Sequence, residues 1–456
     1  MPSDQPGSTP ASQAGALAGP PVQRKVRITN LYATPWHLAD AATAGDLSDY
    51  LRMGRLDGYY RLSANQLPRV LRRADLDTRA LKFRRWQHAG SVTGARIWLF
   101  RLPSGQIVTA LSLDASCDLA DTIDLLEDCY YGDVAIAEVP VEDHAHGLAA
   151  QLGADGSSER SFLPERHQIV FSSVPAPDDY DDLVQRLVYR ADLPYRKEYS
   201  AIRYPSELNR RPGSLAAVGP YVSVLCGHQD YVENAVFASA IQGVAAAAQL
   251  RVIRHAAYAD VRLFRGLEGT PGTTRDRRLA LERIADQLGD LELELSYSVE
   301  ATADLGLLVP SLRVESFHSA LYESIGLAQK AVTVGRMLHR LGAAISAELT
   351  SIESIERRVD ENRRVRYAVA VGFVSAVAIP ASLILAFLGI NASQVSSNRS
   401  MFSDHYLGMY LGIAALIVIG GALSLALWTQ HRRDTRHHRA SAPRPRWTPA
   451  RDTPHA

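Results

Sequence analysis

Cysteine is nearly absent from this sequence: Cys117, Cys129 and Cys226 are the three in a chain of 456 residues. So sparse and odd a set cannot build a disulfide framework, and it suits a reducing compartment. Net charge is lacking too. Lys+Arg and Asp+Glu are 49 each, which excludes the strongly basic proteins that coat nucleic acid, so no nucleic-acid partner is expected. No Ser/His/Asp or Cys/His arrangement is discernible. Gly266, Gly269 and Gly272 read as a loop, without the Lys-Ser/Thr that a phosphate-binding loop needs. An enzyme is therefore the least expected class, and no cofactor is expected. The first 25 residues hold no apolar export core; rich in Pro, Ser, Gly, Ala and Gln, they read as a disordered tail. What remains is 46% hydrophobic and 21% charged, ample for a buried core, over a length that suits two or three folding units.

The apolar residues gather in two blocks near the C-terminus. Tyr367 to Leu388 carries no charged side chain over about 22 residues, roughly 33 Å of helix, which matches the hydrocarbon core of a bilayer. It contains Pro380, which a span tolerates where neighbouring helices satisfy the freed carbonyl. Leu407 to Leu427 is also uncharged, and Trp428 follows it, where an indole prefers the headgroup layer. Arg357, Arg358, Arg363, Arg364 and Arg366 precede the first block, and Arg432, Arg433, Arg436 and Arg439 follow the second. The linker carries only Arg399 and Asp404. The positive-inside bias then predicts a multi-pass protein of the cell membrane with both termini cytoplasmic.

Before the spans, residues 26–230 alternate between strand-like and helix-like patterns and predict a mixed α/β cytoplasmic domain. Its clearest feature is a hairpin, Ile97 to Leu102 returning from Gln106 to Leu113 around Pro103-Ser104-Gly105. Val26 to Tyr32, Val134 to Val141, Gln168 to Ser172 and Tyr221 to Cys226 are further strand candidates, and Asp118 to Asp128 and Asp181 to Tyr189 are helix candidates. Residues 231–366 read as a helical stalk region, 367–427 as a two-helix transmembrane domain and 428–456 as a basic cytoplasmic tail able to touch anionic membrane lipid. In the stalk, Leu281, Ile284, Leu288, Leu291 and Leu295 form one heptad stripe; Leu338, Leu341, Ile345, Leu349, Ile352, Ile355 and Val359 form a second. The second is expected to run straight into the first span and to bury its stripe against helices of other copies. The alternative is a helical hairpin within one chain.

Within the first span, Ala368, Gly372, Ser375, Ile379, Ser382, Ala386 and Gly389 recur at intervals of four and three and share one face. Small residues in such a stripe serve close helix packing. They also serve a symmetric pore, with hydroxyls wetting the lumen and Ile379 as a dewetting constriction. The span ends in Gly389-Ile390-Asn391, where helix-end carbonyls and a side-chain carbonyl can receive a hydrated cation.

Two C-terminal spans, a long helix feeding the first, a large α/β domain and a closing Gly-x-Asn together resemble the CorA family of divalent cation transporters, which includes the ZntB-type zinc transporters. The family's first span often reads Met-Pro-Leu-Thr and then Gly-Met-Asn, with the Gly nine positions after the Pro; here Ile379-Pro380-Ala381-Ser382 leads to Gly389-Ile390-Asn391 in the same register. The match at motif level covers about residues 331 to 427. The resemblance implies a homopentamer with a cytoplasmic funnel, carrying Mg2+, Co2+ or Zn2+ as transported ions. It implies Gly389, Ile390 and Asn391 as the selectivity motif, Ser382 in place of the pore-lining Thr, and Ile379, with Ser375 and Ala368 below it, on the pore wall. Departures from the pattern are Ile390 for Met, Leu388 for the usual aromatic, and an outer loop (Ala392 to Tyr406) with one Arg and one Asp. That neutral loop favours an alternative, a membrane-anchored regulatory or sensory protein on the same scaffold without transport.

Among other groups, Asp114, Asp118, Asp121, Asp124, Glu127 and Asp128 stand at helical spacing. They read first as a solvated helix face; by resemblance, Asp118, Asp121, Asp124 and Asp128 are a candidate regulatory metal site between subunits. Glu142-Asp143-His144-Ala145-His146 reads as an exposed loop, with zinc ligation as its lesser alternative. Pro175 to Asp182 reads as a turn leading into a helix N-terminus.

Overall fold

The computed structural model describes residues 23–390 except 40–43, 88–90, 156–159, 194, 197, 199 and 270–272, together with scattered positions between 404 and 429. The strands are β1 (Arg24–His37), β2 (Arg69–Asp75), β3 (Leu81–Phe83), β4 (Val92–Arg101), β5 (Gln106–Cys117), β6 (Val134–Ile136), β7 (Val139–Pro140), β8 (Arg166–Ser172), β9 (Leu215–Val218) and β10 (Val222–Cys226). The helices are α1 (Leu47–Tyr50), α2 (Asp57–Leu62), α3 (Leu119–Tyr131), α4 (Val141–Gln151), α5 (Tyr180–Tyr189), α6 (Asp230–Gly269), α7 (Thr274–Leu295), α8 (Leu305–Leu308), α9 (Leu312–Ile325) and α10 (Leu327–Ile390). One compact unit reaches Ile345 and a second begins at Ser346.

The first unit is built on a seven-stranded sheet in the order β2-β4-β5-β1-β8-β10-β9, antiparallel except for the parallel pair β8 and β10. Side chains of alternating strand residues go to opposite faces, and the sequence uses both. Ile97, Leu99, Ile107 and Leu111 join a core with Ile123 and Leu126 of α3, Ala145 of α4 and Val184 of α5. Trp98, Phe100, Val108 and Ala110 join another with Val236 and Ile241 of α6 and Phe317 of α9. The result is a mixed α/β domain with helices over both sheet faces. β1, paired on each side, is buried along most of its length.

The predicted hairpin is β4 and β5, with Arg101 opposite Ile107 and Gly105 at φ +87 in its turn. Gly meets that left-handed requirement without steric cost. The strand predicted over Val134 to Val141 is instead two short strands, β6 and β7, before α4 begins. Ile136 faces Val139, with Ala137 (φ 48) and Glu138 (φ 70) between them. Two consecutive positive φ values make a tight hairpin turn whose twist suits antiparallel strands. Neither residue is Gly, Asn or Asp, so the turn left no mark in the sequence. β2 and β9, at the two edges of the sheet, were not predicted.

The chain is helical from Asp230 onward, as expected, but α6 and α9 lie on the sheet and belong to its core. Gly266 and Gly269, read as loop residues, are the end of α6. After α7 the chain passes through a π turn, Ser296–Glu300, and a 3-10 turn, Ala301–Ala303. The second unit contains the upper part of α10, which continues through Pro380. The positions described between 407 and 429 are helical. The N-terminal tail up to residue 22, Asn391, most of the outer loop and the basic tail from 430 lie outside the described residues.

Candidate functional site

Two described helices are long and apolar enough to cross a membrane, and their settings differ. In α6 the apolar window is 83% buried inside the protein; in α10 none of it is. The bare segment includes Tyr367, Val371, Val374 and Ile379, the last at 58% exposure. Leaving so many apolar side chains in water opposes the hydrophobic effect, at about 25 cal/mol per Å2 of apolar surface.

The predicted stripe lies along one helix without a break in register, as its spacing requires. Ala368 and Ser382 are exposed, Ser375 is half-buried, and a methyl group added at Gly372 would meet nothing within 4 Å. The Ser382 hydroxyl donates to the Ile379 carbonyl at 2.9 Å. That carbonyl lies one residue before Pro380, and the bond satisfies the hydroxyl within its own helix, as apolar surroundings demand. Gly389 and Ile390 are the last helical residues of α10; Asn391 is outside the described residues.

Lower down, the second heptad stripe divides. Leu338, Leu341, Ile345 and Ile352 are buried, whereas Ile355 and Val359 are 49% and 46% exposed. A methyl at Gly335 would stand 3.6 Å from Leu295, and one at Gly342 would stand 3.2 Å from Leu288. Seven residues up α10 thus match seven residues back along α7, and the two stripes meet antiparallel within one chain. For this stretch cover is present within one chain, as in the intrachain hairpin.

The acidic run does not stay together. Asp118 caps α3, accepting from the Asp121 amide at 2.9 Å. Asp128 is wholly buried and accepts from the amides of Arg85 (2.8 Å) and Trp86 (3.0 Å), anchoring the loop after β3. Glu127 pairs with Arg85, and Asp114 receives Arg27 at 2.6 Å and Arg96 at 3.1 Å. Asp124 has its carboxyl pKa raised by burial, then by Asp128 and Asp121. Among the described residues no three His, Cys, Asp or Glu side chains are grouped to hold a metal ion. Glu142 to His146 are part of α4 rather than a loop, and the His146 ring lies edge-on to Trp36. Asp179 precedes α5, in keeping with the expected turn and helix start.

Among the polar connections that sequence reasoning missed, two join α6 to other elements. Arg27 of β1 bridges Asp114 and Glu233 of α6, the latter at 2.7 Å. Burial lifts the Glu233 carboxyl to about 7 against the opposing pull of Arg27. A carboxylate among the apolar residues of α6 was the available signal. On the same helix, Ser239 bonds His318 Nδ1 at 2.7 Å, and His318 Nε2 meets the Thr302 carbonyl at 2.9 Å. Burial lowers the His318 pKa to about 4, so the ring is neutral and can accept at one nitrogen and donate at the other. All three cysteines are buried and free, and burial pushes the thiols of Cys117 and Cys226 up to about 11. They are poor nucleophiles in this state.

No protein-family model, curated protein or solved structure matches the chain.

Proposed function

We propose that this chain is a CorA-like membrane channel or transporter for divalent cations, gated by its α/β domain and not an enzyme. It spans the cell membrane with both termini cytoplasmic and assembles as a homo-oligomer, with copies of α10 around a common axis. The observation that carries this reading is α10 itself. It is 64 residues long, begins in the first unit and ends as an uncovered apolar segment bearing the stripe from Ala368 to Gly389. A bilayer covers such a segment, and neighbouring copies pack on its small-residue face. Asn391 then stands at the outer mouth, Ser375 and Ser382 wet the path, and Ile379 narrows it.

Ion flux into liposomes tests the reading. The wild type carries Mg2+, Co2+ or Zn2+ above the level of empty vesicles, and Asn391→Ala lowers the rate or relaxes the choice of ion. No flux from wild type or variant ends it. A second reading is favoured by the outer loop, which has one Arg and one Asp over residues 392–406 and so gathers cations weakly. On that reading the chain is a membrane-anchored sensor, Asn391→Ala leaves function unchanged, and changes in the α/β domain abolish it.

A further inference from the structure

β8 and β10 are the parallel pair of the sheet, so their carboxyl ends lie on the same side of it. β10 ends at Cys226, and Gly227, His228 and Gln229 turn the chain directly into α6. Gly227 has φ +70, and a methyl group there would sit 2.2 Å from the Gly213 carbonyl oxygen. Glycine is thus required by both its conformation and its neighbours. A strand, a tight glycine turn and the N-terminus of a 40-residue helix place backbone N–H groups and the positive end of the helix dipole at one spot. The amides of Val232 and Glu233 close on the Gln229 carbonyl, at 2.9 and 3.4 Å.

A cavity of about 220 Å3 lies at this turn. Its wall includes Arg210, Arg211, Arg313, His228 and Ser214, with Glu207 as the carboxylate among its lining residues. Glu207 is engaged by Arg210 at 2.7 Å, which leaves Arg211 and Arg313 as the surplus positive charge. Arg313 donates to the Tyr231 hydroxyl at 3.1 Å. His228 is 9% exposed, and its Nε2 is buried with no hydrogen-bond partner among the described residues. A buried imidazole nitrogen without a partner is costly unless a ligand completes it. Burial lowers the His228 pKa against the opposing bond to the Leu215 carbonyl, and Arg313 and Arg211 lower it further, so the ring is neutral, holds its proton toward Leu215 and presents Nε2 as an acceptor. Asp230 opens the helix beside them and is the local group that disfavours an anion.

We infer that this cavity binds the phosphate group of a small phosphorylated molecule, or free phosphate, between Arg211, Arg313 and His228 at the start of α6. The guanidinium forks match phosphate oxygens in pairs, the neutral imidazole accepts the proton of a monohydrogen phosphate at Nε2, and the Ser214 hydroxyl completes the polar wall. The volume admits a phosphate with a few attached atoms and leaves a larger substituent outside. This site is independent of the transport reading and stands whether or not the chain carries ions.

Calorimetric titration of the full chain in detergent, with inorganic phosphate and with adenosine 5′-monophosphate, tests it. Saturable binding is expected for at least one probe, weakened tenfold or more in Arg211→Gln and in Arg313→Gln. Arg211 is exposed, so its variant keeps the fold, as an unchanged melting temperature without ligand verifies. Arg254→Gln, an exposed change farther along α6, leaves binding intact. Similar affinity for the two probes assigns free phosphate; at least tenfold preference for the nucleotide assigns a phosphorylated small molecule. Absence of saturable binding by wild type for either probe overturns the inference. So does equal weakening by Arg254→Gln, which reports diffuse charge rather than a site.

Discussion

α6 and α10 have nearly the same mean hydropathy over their most apolar windows, 1.5 and 1.6, yet 83% of one window is covered by protein and 0% of the other. The polar groups of the two helices explain the difference better than their apolar ones. On α6, Glu233 reaches Arg27, Ser239 reaches His318, and Gln249 reaches Glu294 at 2.8 Å. These three polar side chains are aimed at partners from other elements. On the bare part of α10, the Ser382 hydroxyl turns back to its own backbone. A helix made for a protein interior needs tertiary partners for its polar atoms, whereas one made for hydrocarbon must satisfy them internally. Average hydropathy does not separate these two helices; their burial does.

A carboxylate placed in each helix breaks the comparison most sharply. Ile241 is wholly buried and Val371 is 64% exposed. Ile241→Asp should cost more than about 4 kcal/mol and leave the first unit unfolded, read by loss of the cooperative thermal transition. Val371→Asp should preserve that transition in detergent while lowering recovery in the membrane fraction, by about 3 kcal/mol of insertion free energy if it sits near the centre of a span. Loss of folding in both variants would show that α10 is also a core helix.

The next effect is a pH dependence. Glu233 has a folded-state pKa raised from 4.5 to about 7. The folded state therefore holds a proton that the unfolded state has released across that window. Its contribution to stability is complete below the unfolded pKa and lost as pH rises through about 7, by up to about 3 kcal/mol. His318 acts in the opposite sense. Its folded pKa is lowered to about 4 from 6.5, so its contribution is lost as pH falls through that range. Glu233→Gln should remove the first slope and leave the second, measured as melting temperature from pH 5 to 8 against wild type. Parallel curves would mean that Glu233 stays ionised beside Arg27.

The smallest effect compares two hydroxyls. Ser239→Ala takes a partner from buried His318 and should cost about 1 to 3 kcal/mol. Ser382→Ala removes only a bond within its own helix and should lower stability by less than about 0.5 kcal/mol. Equal losses in thermal melts would show that the two helices do not differ in this respect.

Much of the sheet was legible because local patterns carry it. The β4–β5 hairpin combines alternating apolar residues with a Pro-Ser-Gly turn, and α3 has its Asp118 cap and apolar spacing in one short stretch. β2 was not legible: Arg69, Arg72 and Arg73 interrupt its apolar pattern, because an edge strand exposes one side. The break between β6 and β7 was invisible because Ala137 and Glu138 adopt positive φ without the residues that usually announce it. The acidic run illustrates a different limit. Its spacing predicts a shared helix face, but Asp128 faces inward to two loop amides, and nothing in the run itself names Arg85 and Trp86 as partners.

The sequence by itself determined where the long uncharged apolar segments lie, the register from Pro380 to Asn391, and the two heptad stripes that meet as α7 and α10. These are properties of spacing along the chain, and helix geometry converts spacing directly into a face. Only the tertiary structure decided that α6 is a core helix, that the lower stripe of α10 is covered within one chain, and that Arg211, Arg313 and His228 surround one cavity. Those outcomes depend on contacts between residues as far apart as Arg27 and Glu233, and separation along the chain carries no information about separation in space until the sheet has been assembled.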